Sequence, residues 1–138
     1  MGGLEMKTAV SEFQFKNPVL TDLIFEVNED FDKQNKKNVQ IKLNIDISIE
    51  KRENKEATVK LSVKIGEKSD KDPYFIKAVE KSDFRWSDEV EDNMVESLLS
   101  QNAPSLLLSY LRPIIVQITA SSPYGIYNIP FVNFANSK

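Results

Sequence analysis

Between Val39 and Glu50 apolar and polar residues alternate without a slip: Val39, Ile41, Leu43, Ile45, Ile47 and Ile49 against Gln40, Lys42, Asn44, Asp46, Ser48 and Glu50. A period of two puts every apolar side chain on one face of a strand and leaves the other face wet. After a charged turn, Arg52 to Glu56, the pattern returns in Ala57, Val59, Leu61, Val63 and Ile65 against Thr58, Lys60, Ser62 and Lys64. Two such runs predict a long antiparallel hairpin, and a hairpin with one apolar face needs a covering layer.

More strand is expected on both sides. Gly66 to Pro73 reads as a turn, and Tyr74 to Val79 restarts a strand. Phe13 to Val27 contributes another, interrupted at Asn17-Pro18, where proline confines it to an edge or a bulge. The sum is a four-stranded antiparallel sheet. Helices supply the cover. Ser87 is expected to cap a short one, with Asp88 and Glu89 in its first turn and Val90, Met94 and Leu98 on its apolar side. A long helix is expected from Ala103, with Asn102 as cap, Pro104 in the first turn, and a kink or break at Pro113. Ser121 to Gly125 ends it, and Ile126 to Phe134 returns extended. This is an α+β arrangement in one domain, residues 1–138, with a short and a long helix on one face of the sheet.

The long helix is apolar over most of its circumference. One sheet face cannot bury Leu108, Leu111, Ile115 and Ile118 together, so a second subunit is expected against them, giving a homo-oligomer.

Chemistry is excluded more than it is suggested. The chain has no His and no Cys, which removes the usual neutral-pH base, the thiolate nucleophile and cysteine-ligated zinc. With four glycines, two at the extreme N-terminus, no phosphate-cradling loop can be written. Carboxylate clusters remain: Glu29-Asp30-Asp32 as hard-cation ligands, and Asp88, Glu89, Glu91 and Asp92 on the short helix. For both, a solvated surface is the leading reading. No enzyme activity, cofactor or metal is expected. The net charge of -3 argues against a nucleic-acid partner. Met1 to Ser11 lacks an apolar signal core, and no run approaches the ~20 apolar residues of a membrane span, so a cytoplasmic protein without stable membrane insertion is expected.

Aromatic residues are the better lead. Phe31, Phe84, Trp86, Tyr124, Tyr127, Phe131 and Phe134 lie in or beside predicted loops and element ends. Some of these must be core; as a group they could line a groove for an extended peptide, helped by main-chain bonding at a sheet edge. Sequence-tolerant binding of unfolded chains needs that combination.

Pro104, Leu107, Tyr110, Arg112, Ile115, Asn128 and Val132-Asn133-Phe134, with Phe13-Gln14-Phe15 and Thr21-Asp22-Leu23-Ile24-Phe25-Glu26, resemble the SecB-type protein-export chaperones at matching spacing. The resemblance implies a cytoplasmic tetramer, a dimer of dimers, that holds unfolded polypeptides or preproteins in apolar grooves without a cofactor and passes them to the translocase ATPase. It places Phe134 on an aromatic position of the family's peptide groove, and Asp22 and Glu26 on acidic positions that contact the motor; with the aromatics read above, the expected client groove is Phe31, Tyr124, Tyr127, Phe131 and Phe134. Three departures stand out. Ala78 takes the place of a third motor-contacting carboxylate, the loop from Asn28 to Asn38 has no tryptophan, and the chain stops four residues after Phe134 without the family's C-terminal helix. A dedicated chaperone for one partner, such as an antitoxin, is the alternative on the same scaffold.

Overall fold

The computed structural model describes residues 12–31, 40–69 and 71–136. In chain order they form β1 (Phe13–Phe15), β2 (Val19–Val27), β3 (Leu43–Arg52), β4 (Glu56–Ile65), β5 (Tyr74–Trp86), α1 (Asp92–Ser97) and α2 (Ala103–Ala120). β3, β4 and β5 are antiparallel neighbours, and β1 and β2 both pair with the far side of β5. The sheet therefore has five strands, one more than expected. Proline has no N–H for the ladder, so the front strand is cut at Asn17-Pro18, and both halves lie along one edge. Lys16 still donates its N–H to the Asp83 carbonyl at 2.9 Å, which keeps the two halves in line.

β5 continues well beyond Val79, through Glu80 and Lys81 to Trp86. The β3–β4 hairpin has the expected register, Ile45 opposite Val63 and Ile47 opposite Leu61, and turns through Asn54 and Lys55 at positive φ. β3 begins at Leu43, later than the alternation suggests; Val39 lies outside the described residues.

The helical part needs the most correction. α1, a π-helical turn at Leu98–Asn102 and α2 follow one another as a single run from Asp92 to Ala120. Asn102 has helical φ and ψ and makes no side-chain cap. Pro104 has no N–H for the Ser100 carbonyl, and the wider turn just before it lets the helix pass through. Ser87 caps no helix either: its hydroxyl accepts the Glu89 N–H at 3.1 Å in a tight turn, and the helix starts only at Asp92. Pro113 leaves α2 in one piece, because it and Ser109, whose carbonyl loses its donor, both face solvent.

By length and composition the 29-residue run could cross a bilayer, contrary to the expectation. Its apolar content has another use here. Ala103, Leu107, Leu108, Leu111 and Ile115 are buried in one cluster with Val59, Leu61, Val63, Ile65, Ile76 and Ala78 of the sheet. Full burial of each valine, leucine or isoleucine among them contributes about 1.5–3 kcal/mol.

Candidate peptide-binding surface

The second partner of α2 is the chain's own C-terminal segment. After Ser121 the backbone turns and runs back along the helix as a strap. The hydroxyl of Thr119 accepts the Tyr127 N–H at 2.9 Å, and the Arg112 guanidinium donates to the carbonyls of Ile129 and of Pro130, the latter at 3.1 Å. Ile129 and Phe134 insert into the core, and a 3-10 turn at Phe134–Asn136 ends the strap against the π-helical turn. Leu108, Leu111 and Ile115 are thus interior residues of one chain, and Ile118 is half-buried beside them. The first three are therefore not free to meet another subunit, whereas Ile118 continues the partly open flank. What α2 leaves open is its other flank, with Tyr110 exposed and Leu106 and Ile114 half-buried.

The predicted aromatic groove divides the same way. Phe31 is buried and meets Tyr124 edge to face at 5.2 Å, while the Tyr124 hydroxyl donates to the Asn28 carbonyl at 2.7 Å. These two rings tie the end of β2 to the start of the strap. Tyr127 packs on the core near Tyr74, whose phenol is pushed up to about 12 by burial and, secondarily, by Tyr127. Phe134 is core, as is Phe84. Only Phe131 faces outward, 96% exposed, over a depression of about 280 Å³ lined by Ser105, Leu108, Ser109, Arg112 and Val132.

A second apolar surface lies at the β1–β2 edge, and the sequence reading missed it. Phe15, Leu20 and Leu23 share the helix-side face of the sheet by register with Phe84, Glu80 and Ala78, yet are 46%, 39% and 40% exposed. A bulge at Thr21 lets Leu20 and Leu23, three residues apart, point the same way. The helices cover β4 and β5, leaving this margin bare. Its edge amides face no further strand among the described residues.

Beneath this margin sits Glu80, between Leu20 and Leu61 in the ladder, 3% exposed and with Oε1 lacking any hydrogen-bond partner. Burial raises its carboxyl above the usual carboxylate range. A folded-state pKa above the unfolded value favours the fold below the unfolded pKa, and that benefit is lost as pH rises through the folded pKa. At neutral pH the group is therefore a cost. Glu80→Leu is expected to stabilise the protein by about 1–3 kcal/mol at pH 7 and by much less near pH 4. Urea unfolding at the two pH values checks this; an equal effect at both would show that Glu80 is paired in solution.

Asp22 and Glu26 lie on the opposite, outer face, opposite Val79 and Phe75 in the ladder, with Ile24 between them. Each has a cation of its own: Lys77 stands 3.5 Å from Asp22 and Lys68 stands 3.7 Å from Glu26. Ala78 is fully buried on the inner face opposite Leu23, so a carboxylate at that position would not join the pair. The residue beside Ile24 on the outer face is Lys77.

The profile of the family described as preprotein translocase subunit SecB matches residues 6–136. The chain belongs to the SecB family. No curated protein sequence matches it. Among solved structures it is similar to the SecB-like chaperone Rv1957 of Mycobacterium tuberculosis, solved in complex with a ChAD peptide from the Rv1956 HigA1 antitoxin. The two share 10% identity at a TM-score of 0.68, over 87% of this chain and 90% of that one. A protein of unknown function from Streptococcus agalactiae aligns at 13% identity and a TM-score of 0.49, over 89% of this chain and 100% of that one.

Among the described residues the acidic clusters share no site. Asp32 lies outside the described residues, and Asp88 and Glu89 stand in the turn before α1, where Asp88 meets Lys55 at 3.2 Å. Among the described residues no three His, Cys, Asp or Glu side chains are placed to hold a metal ion.

Proposed function

We propose that this SecB-family protein is a chaperone that holds extended, unfolded polypeptide segments without nucleotide or cofactor and performs no catalysis. The observation that carries the reading is the bare apolar row Phe15, Leu20 and Leu23 along a sheet edge that no further strand among the described residues covers, joined by the outward Phe131. A client segment can add main-chain hydrogen bonds at the edge while its apolar side chains meet the row, so affinity depends little on sequence. Assembly into a homo-oligomer belongs to the proposal, with Tyr110, Leu106 and Ile114 as the contact.

A dedicated partner is the second reading, and the charges favour it over delivery to the translocase ATPase. Lysines beside Asp22 and Glu26 weaken the negative field that a basic motor segment would need. The fold-level likeness to a chaperone solved with an antitoxin peptide points the same way.

Aggregation assays decide. At near-stoichiometric ratio the protein is expected to suppress aggregation of slowly refolding, unrelated polypeptides. Leu23→Ser with Phe131→Ser should abolish most of this; the Phe131 change is expected to cost about 0.5 kcal/mol or less, and the change at Leu23, which is 40% exposed, about 1–2 kcal/mol, which leaves the protein folded. Protection of a single client alone would assign the dedicated role. Failure with every client would remove the proposal.

A further inference from the structure

The outer face of the sheet carries a basic lane that the overall charge conceals. By register Lys60 of β4 stands directly opposite Lys81 of β5, and Lys64 directly opposite Lys77. Like charges placed opposite each other across two strands destabilise a sheet. Lys60, Lys64 and Lys81 are exposed, and among the described residues only Lys77 of the four has an ion-pair partner, Asp22. Two like-charged pairs are thus held across the ladder, and among the described residues three of the four lysines have no ion-pair partner.

The lane is narrow. Asp46 and Glu50 flank it on β3, and Asp22 and Glu26 flank it on β2. Three strand spacings separate these rows, ~14 Å, while the two lysine pairs are ~13 Å apart along the strands. A duplex or an anionic membrane laid on this face would press its own charge onto the flanking carboxylates. A single extended chain running along β4 and β5 would not. We propose that the outer face is a docking site for an acidic polypeptide segment, extended along the lane with carboxylates about four residues apart. The site lies on the sheet face opposite the apolar row, and it stands or falls independently of the holding function.

The probe is a fluorescein-labelled peptide with glutamates four residues apart in a serine and threonine background, followed by anisotropy at low salt. Lys60→Gln, Lys64→Gln and Lys81→Gln together are expected to weaken its binding about tenfold or more. The same variant should unfold at an equal or higher temperature, because the repulsion is gone, and should still suppress aggregation. Raised salt should weaken the wild-type binding, and the glutamine version of the peptide should not bind. If the triple variant fails to fold, Lys81→Gln alone is expected to weaken binding about twofold. Equal binding to wild type and variant, no binding to wild type, or tighter binding of a single-stranded oligonucleotide of the same charge would each overturn the proposal.

Discussion

The Ile115→Asp protein is expected to be unfolded at room temperature. Ile115 is fully buried, between Leu111 and Thr119 on the side of α2 that faces the sheet. A carboxylate there has no cation to meet, and an unpaired buried charge costs several kcal/mol against a total stability of about 5–15 kcal/mol. The control is Tyr110→Asp, on the exposed flank of the same helix, expected to stay within about 1 kcal/mol of the parent. Far-UV circular dichroism and urea titration of both proteins check the contrast. A cooperative transition in Ile115→Asp close to that of the parent would mean that α2 does not pack on the sheet as described. The same pair separates core from interface, since an interface residue would change assembly before it changed secondary structure.

The second large effect is expected at Gly66, where the chain leaves β4. Gly66 has φ +76, its N–H donates to the Lys42 carbonyl at 2.8 Å, and a Cβ built there would come within 2.2 Å of the Tyr74 carbonyl oxygen. That atom is backbone at the first residue of β5, so relief requires a strand to move. Gly66→Ala is expected to cost about 2–4 kcal/mol, combining left-handed strain with the clash. Gly125→Ala isolates the strain alone: φ is +92, but nothing lies within 4 Å of the added carbon, and about 1 kcal/mol is expected. Denaturant midpoints of the two variants check this. Equal losses would show that the turn at Gly66 yields without cost.

What the sequence made legible was whatever periodicity alone encodes. The β3–β4 hairpin, its wet face and the proline break at the front strand all follow from a period of two and from the missing N–H of Pro18. The helix ends did not follow, because Ser87 and Asn102 have the side chains of caps, yet Ser87 closes a turn ahead of the helix and Asn102 lies within the helical run. Nothing in the local pattern around Pro104 announces a π-helical turn. Glu80 had a readable signal: extending the inward phase of Tyr74, Ile76 and Ala78 by one more step places it inside, and ending the strand at Val79 hid it. The strap was expected to return as an extended segment through Phe134; it pairs with no strand among the described residues, lies on α2 instead, and closes in a 3-10 turn at Phe134. That contact turned the expected groove aromatics Tyr127 and Phe134 into core. The lysine lane needs the register between β4 and β5, which no single-strand pattern contains.

Arg112 and Thr119 grip the strap by its main chain, while Tyr127, Ile129, Val132 and Phe134 pack inward and Asn128 and Phe131 are left exposed. Folding and display are thereby uncoupled within one segment. A backbone carbonyl is the same whatever residue carries it, so exchanging the outward residues rewrites what the surface offers while the clamp stays as it was. Substitutions at those positions therefore leave the clamp intact, and the surface can change without the folding problem having to be solved again.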